Sequence, residues 1–458
     1  MKFFLVAVIA LLLLPLTTAA AAEEAAVEKL AGPLADYVAK PDDSFRWAVR
    51  REQKLGEAPL VEVTLTSQTW RGITWKHQLF LLKPKSVKAD ASHALLFIAG
   101  GTWKDSLDKP PGARDGLPKE AFAFATLAEQ TGLPVAVLLQ VPHQPILGGR
   151  VEDDAIAHTF ENFMRTGDPE WLLLLPMVKS AVRGMDATSQ YAKKHWSLDI
   201  KTFTVSGASK RGWTTWLTGA VDARATGIAP MVIDMLNTAA QMKHQVDTWG
   251  GYSEQIHDYT DRGLQKHLAS EAGKKLNAIV DPYAYRDRLK QPKLILLGTN
   301  DRYWPLDALN LYWDGLPGEK YICYVPNNGH GLKDLDRIAG GLAALHRRVA
   351  ENKPLPQMTW GLKEKDGKLH LRLTSDVKPR TVQAWIAHSK TRDFRPAKWS
   401  SEAMTADGDK FTHQLTIPAE GFAAMFGEAV FNGEKLPLYL STNVRIVGGK
   451  VPAAAAGK

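Results

Sequence analysis

A serine stands where a β-rich run gives way to a helix-forming one. The stretch TFTVSGASKRGWTTW, residues 202–216, carries Ser209 in the turn Gly207-Ala208-Ser209-Lys210-Arg211-Gly212. On a tight strand-to-helix turn, a serine hydroxyl projects from the carboxyl edge of a sheet beside the free amides of a helix start. The turn forces close backbone approach, so small residues are needed two positions before the serine and near two positions after it. Gly207 meets the first need. Arg211 occupies the place of the second glycine in the usual G-x-S-x-G pattern, and Gly212 follows one position later. Two roles compete for the hydroxyl: capping the helix by accepting from a first-turn amide, or attacking a carbonyl as a nucleophile.

A nucleophilic serine needs a base, and the base needs an orienting carboxylate, in the chain order Ser, Asp or Glu, His for a sheet of this kind. KLILLGTNDRYWP, residues 293–305, places Asp301 just past a strand end, and YICYVPNNGHG, residues 321–331, places His330 in the loop after the next strand. Ninety-two residues separate Ser209 from Asp301, and 29 separate Asp301 from His330. Parallel strands present all their carboxyl ends at one edge, so three such loops can converge. Asp234, at the end of GIAPMVID (227–234), is an alternative acid. Each residue also has a plainer reading, as a solvated turn carboxylate or a loop histidine held between glycines. For a developing oxyanion, the backbone amide of Lys210 is one donor. Gly101 or Thr102, in the loop Ala99-Gly100-Gly101-Thr102-Trp103, is the expected second, unless the paired glycines only permit a sharp turn.

Other candidates are weaker. His143, after VAVLLQVP (135–142), reads as a hydrogen-bonded structural histidine sooner than a cleft residue. Among 14 tryptophans, Trp103, Trp213, Trp216 and Trp304 fall near the proposed site and raise sugar stacking beside their commoner role in cores. HExxH, paired CxxC and P-loop motifs are absent, so no metal, nucleotide or other cofactor is expected.

The elements that must position these residues follow from the hydrophobic pattern. A helical stretch at 26–39 ends at Pro41-Asp42-Asp43, and β-rich runs at 60–65 and 78–82 flank Arg71-Gly72 as a hairpin. Continuous apolar runs at 93–99, 133–141, 200–206, 227–233, 293–298 and 321–325 predict strands buried on both faces. Helical segments at 120–131, 175–194 and 212–220 alternate with them. Such alternation predicts right-handed crossovers and a mostly parallel α/β sheet within residues 23–350. Residues 235–291, rich in His, Tyr and charge, predict a helical cap insertion. Beyond Lys353-Pro354, alternating runs at 369–374, 382–388, 411–417 and 438–447 predict a small C-terminal β-sandwich over 355–447, and 448–458 a disordered tail.

Length and composition fit this reading. The 458 residues are 45% hydrophobic and 23% charged, as in ordinary globular chains, which excludes disordered, collagenous and coiled-coil classes. A net charge of +8 is thin over this length, and no basic block marks a nucleic-acid partner. Lys2, the apolar run 3–16 and the small residues to Ala22 predict a cleaved signal peptide, residues 1–22, leaving +7 and no stable membrane anchor. The single cysteine, Cys323, has no internal disulfide partner and lies in an apolar run, which predicts a buried, inert thiol. An exported chain without disulfides fits a bacterial periplasm or secretion.

Six segments together carry a resemblance: LADYVAKPDDSFRW (34–47), LPMVKSAVRGMDA (175–187), SGASKRGWTTWLT (206–218), APMVIDMLN (229–237), DPYAYRDRL (281–289) and GTNDRYW (298–304). With them the chain resembles the PhoPQ-activated pathogenicity-related protein family (PqaA type), within the α/β-hydrolase superfamily, across nearly all of its length after residue 22. The resemblance implies an exported protein with an α/β-hydrolase core and a C-terminal β-domain, and its substrate class is poorly defined. The expectation is therefore a serine hydrolase acting on a small-molecule or envelope-derived ester or amide, of undetermined oligomeric state. Two alternatives stay open: a silent binding or signalling protein on the same scaffold, and a carbohydrate or cell-envelope esterase whose β-domain docks the polymer.

Overall fold

The structure, a computed structural model, describes residues 31–55, 58–112, 116–117, 120–433 and 435–450. The expected signal peptide and residues 451–458 lie outside the described residues. A short helix α1 (Pro33–Ala39) opens with proline in its first turn, where the missing N–H costs nothing. Three antiparallel strands follow: β1 (Arg46–Leu55), β2 (Ala58–Trp70) and β3 (Ile73–Leu82), the last two joined at Arg71-Gly72.

Strands and helices then alternate: β4 (His93–Ile98), α2 (Glu120–Thr131), β5 (Val135–Leu138), α3 (Glu152–Thr166), α4 (Leu174–Tyr191), β6 (Thr202–Ala208), α5 (Lys210–Val221) and β7 (Ala225–Met231). The insertion that follows β7 is helical, with α6 (Thr238–Trp249), α7 (His257–Thr260) and α8 (Glu271–Val280). After it come β8 (Lys293–Gly298), β9 (Lys320–Val325) and α9 (Leu335–Ala350). The strand order is β1-β2-β3-β5-β4-β6-β7-β8-β9, parallel from β5 onward, with Ile98 paired to Gly207 and Gly298 to Val325. This is the α/β-hydrolase architecture.

The pleat sorts each strand's side chains into two cores. Leu96 and Ile98 of β4 join Val205, Trp216 and Met177 on the face covered by α4 and α5. Leu95 joins Leu294, Leu296 and Leu345 on the face covered by α2 and α9. Because both faces are covered, these strands read as unbroken apolar runs. Cys323 of β9 sits in the second core, and burial pushes its thiol up to about 12.

The C-terminal strands are β10 (Met358–Lys365), β11 (Lys368–Ser375), β12 (Thr381–Ser389), β13 (Ser400–Ala403), β14 (Thr405–Asp407), β15 (Lys410–Thr416), β16 (Gly421–Phe431), β17 (Leu438–Ser441) and β18 (Arg445–Lys450). β10-β11-β15-β14 form a separate antiparallel sheet, whose Leu369, Leu371 and Leu373 pack on Ala423, Met425 and Ala429 of β16. The facing sheet, β17-β16-β12-β13 with β18 beside β16, continues the central one through the pairing of Ser441 with Ile322. Three sequence expectations need correction. The run 438–447 is two strands, split after Ser441; residues 448–450 end β18 and are not tail; and β1, β10, β13, β14, β16, α3 and α9 were not anticipated. Among the described residues, no helix is long and apolar enough to cross a membrane.

Candidate active site

β6 runs two residues past its predicted end, and Ser209 follows it directly at φ 59°, ψ −128°. A non-glycine residue there is strained by about 1–3 kcal/mol, so the surroundings must impose it. They do so from both sides. The Ser209 amide donates to the Met231 carbonyl at 2.9 Å, and its own carbonyl accepts from Trp213 N at 3.0 Å. A Cβ on Gly207 would lie 2.8 Å from the Arg211 carbonyl oxygen and 2.9 Å from that of Ile98, and one on Gly212 would lie 2.7 Å from Ile233 Cγ2. The second close approach of the turn is thus made by Gly212, and position 211 is free to carry a long side chain. The Ser209 hydroxyl makes no capping bond to α5.

That hydroxyl faces His330 instead. Ser209 Oγ lies 2.8 Å from His330 Nε2, and His330 Nδ1 lies 2.9 Å from Asp301 Oδ2. The other oxygen of Asp301 accepts from the Tyr303 amide at 2.9 Å, which fixes the carboxylate plane. The Tyr303 ring stacks on the imidazole with centroids 4.2 Å apart. Ser209, Asp301 and His330 come from the ends of β6, β8 and β9, and the parallel sheet brings all three to one edge. Asp234 is turned elsewhere: its Oδ1 accepts from Tyr312 Oη at 2.7 Å. Burial pushes the Asp234 carboxyl up to about 8, opposed by that hydrogen bond and aided by the nearby charge of Asp301.

Lys210 N is the first amide of α5, where no intrahelical acceptor exists. Gly101 and Thr102 lie in the exposed loop after β4, next to β6 at the same sheet edge. Backbone bonds hold that loop to the segment after β5 (Gln140 N to Gly100 O at 2.9 Å, Val141 N to Ala99 O at 3.1 Å), and Arg211 packs beneath both. Its Nε donates to the Val141 carbonyl at 2.5 Å, and its two terminal nitrogens donate to Glu152 at 2.7 Å each. The guanidinium lies where a Cβ on Gly100 would be, with Arg211 Nη2 2.5 Å from that position. Lys210 Nζ joins the same cluster, 2.8 Å from Glu152 and 3.0 Å from Asp153. Burial favours a protonated Glu152, but Arg211 and Lys210 outweigh it and hold the carboxyl well below the usual range. Glu152 escaped sequence reasoning because it is an ordinary acidic residue at a helix start, and no motif marks it.

A cleft opens at Ser209 and His330 beneath the helical insertion. Trp213 and Trp304 line it, and the Trp213 indole donates to the Val280 carbonyl at 2.5 Å. Trp216 is fully buried in the core below, so it cannot stack on a sugar. Trp103 packs near His143 and Lys76. His143 Nδ1 sits 3.1–3.2 Å from the Lys76 backbone, and burial lowers its pKa, as suits a structural histidine.

The two loops that carry Asp301 and His330 are tied to one C-terminal segment. Asn300 Nδ2 faces the carbonyls of Phe394, Arg395 and Ala397 at 3.3, 3.1 and 2.7 Å. Asn327 and Trp399 exchange two further hydrogen bonds. Sequence reasoning missed these contacts because their partners lie 72–97 residues away, in the loop between β12 and β13.

Over residues 34–395 the chain matches the family described as PhoPQ-activated pathogenicity-related protein, and it belongs to that family. It is 33% identical to Autocrine proliferation repressor protein A of Dictyostelium discoideum over 389 residues, covering 79% of this chain and 76% of that protein. Among solved structures it is similar to acetyl xylan esterase 1 from Thermoanaerobacterium sp. JW/SL YS485, with a TM-score of 0.46 and 14% identity over 69% of this chain and 93% of that one. A glucuronoyl esterase from Solibacter usitatus gives a TM-score of 0.40 and 16% identity over 69% of this chain and 91% of that one.

Proposed function

We propose that this member of the PhoPQ-activated pathogenicity-related family is a serine hydrolase that cleaves an ester or amide through an acyl-enzyme. Ser209 is the nucleophile, His330 takes its proton and returns it to the leaving group, and Asp301 orients the imidazole and stabilises its charged form. The tetrahedral oxyanion is held by the Lys210 amide and by that of Gly101 or Thr102. Water then enters by the same route in reverse and releases the acid.

The observation that carries this reading is the continuous hydrogen-bond chain from Ser209 through His330 to Asp301, mounted on a strained turn whose hydroxyl does no capping. A helix cap needs neither the strain nor the histidine. The N-terminal segment 1–22 supports export to the periplasm or beyond, with a small-molecule or envelope-derived substrate. Hydrolysis of an activated ester by the wild type and by His330→Ala tests the chemistry. The variant should lose several orders of magnitude in rate. Equal rates would overturn the assignment of the base.

A further inference from the structure

We infer that the substrate presents a bulky apolar group, an alkyl chain or an aromatic ring, to the cleft under the helical insertion. This rests on the reading of Ser209 as nucleophile. The cleft opens at Ser209 and His330, and its exposed lining is predominantly apolar, the character of a site that takes an apolar ligand group. Its walls are mostly apolar, with Thr238, Thr260, Gln265 and Asn277 as polar residues among them. Trp213 comes from α5, Ile233 and Met235 from the turn after β7, and Ile256, Leu264 and Leu276 from the insertion. Each of these six is buried, and each also lines the cleft.

Charge is kept out of the space. Among the described lining residues, Lys210 and Asp153 are the charged pair, and they are 3.0 Å from each other, with Lys210 also bound to Glu152. A polyol placed against Ile256, Leu264 and Leu276 would bury most of its hydroxyls against carbon, with only scattered partners such as Gln265 and Asn277, which is costly in a desolvated site. An apolar group there gains from each methylene removed from water. The insertion thus supplies specificity, because its side chains build the wall facing Ser209.

Two ester series test this. In one, p-nitrophenyl esters run from acetate to decanoate; in the other, alkyl acetates run from ethyl to decyl, which places the chain on the alcohol side. The expected result is a rise in kcat/KM of about fourfold per methylene in one series until the cleft is filled. The series that rises identifies which side of the bond the cleft holds. Leu276→Trp and, separately, Ile256→Trp should move the optimum to shorter chains. Hydrolysis of acetyl esters or acetylated xylo-oligosaccharides with no gain from chain length in either series would overturn the inference and leave the hydrolase reading standing. If no ester is turned over, binding of decanoate to Ser209→Ala decides. Saturable binding that Leu276→Trp weakens would support the apolar occupant while the nucleophile reading falls. Absence of binding would overturn both.

Discussion

Asn327 and Trp399 hold each other through two reciprocal hydrogen bonds: Asn327 Nδ2 donates to the Trp399 carbonyl at 3.0 Å, and the Trp399 amide donates to Asn327 Oδ1 at 2.8 Å. Asn327 lies three residues before His330, and Asn300, which faces three carbonyls of the same C-terminal segment, lies directly before Asp301. The β-region therefore braces the acid and base loops, whatever else it contacts. Asn300→Ala should cost about 1–3 kcal/mol by stranding carbonyl acceptors. Asn300→Asp should be worse, because it turns a donor into an acceptor aimed at other acceptors. Both should lower kcat more than they raise KM. An Asn300→Asp protein as stable and active as Asn300→Ala would contradict the bracing role.

The two carboxylates near the site make opposite predictions. Asp301→Asn should lower turnover by about 10⁴-fold, because the imidazole loses the partner that fixes its tautomer. Asp234→Asn should leave turnover nearly intact, since Asp234 serves Tyr312. Steady-state kinetics on the two variants decides; a reversed pattern would move the acid to Asp234.

Stability against pH gives a separate test of Asp234. Its carboxyl is raised from 3.8 to about 8 in the fold, so between those values the folded chain keeps a proton that the unfolded chain has released. Stability must then fall as pH climbs from about 4 to about 8. Asp234→Asn removes that slope, and its melting temperature should exceed the wild type's at pH 8 while matching it near pH 4. Parallel melting curves across the range would show that Asp234 is ionised in the fold.

Arg211 is the departure from the usual turn motif; its fork joins Val141 and Glu152 and fills the space beside Gly100 where a Cβ would lie. Lysine cannot reproduce that planar arrangement. Arg211→Lys should slow turnover on the order of 10²-fold by letting the loop of Gly101 and Thr102 drift from the oxyanion position. Its KM should change little. Wild-type kcat in Arg211→Lys would mean that the loop is held by other contacts.

What was legible in the sequence depended on whether local pattern and topology sufficed. Ser209, Asp301 and His330 could be found because each follows an apolar strand, and a parallel sheet aligns strand ends without further information. Glu152 and the 394–399 segment could not, because their partners are chosen by tertiary contacts between elements far apart in the chain. β16 was missed because GFAAMFGEAVF is buried along its whole length and shows no alternation. The strained φ of Ser209 was equally hidden, since glycine spacing announces a tight turn and not its angles.

The central claim is that Ser209 is a nucleophile, and covalent labelling tests it most directly. Wild-type protein treated with serine-reactive phosphonates of small and large leaving group should gain one adduct, mapped by peptide mass to the segment bearing Ser209. Ser209→Ala should gain none while melting almost where the wild type does, because its hydroxyl caps nothing. The contrary result is a wild-type protein unlabelled by every probe, together with a Ser209→Ala variant destabilised by the roughly 0.5–2 kcal/mol of a lost helix cap.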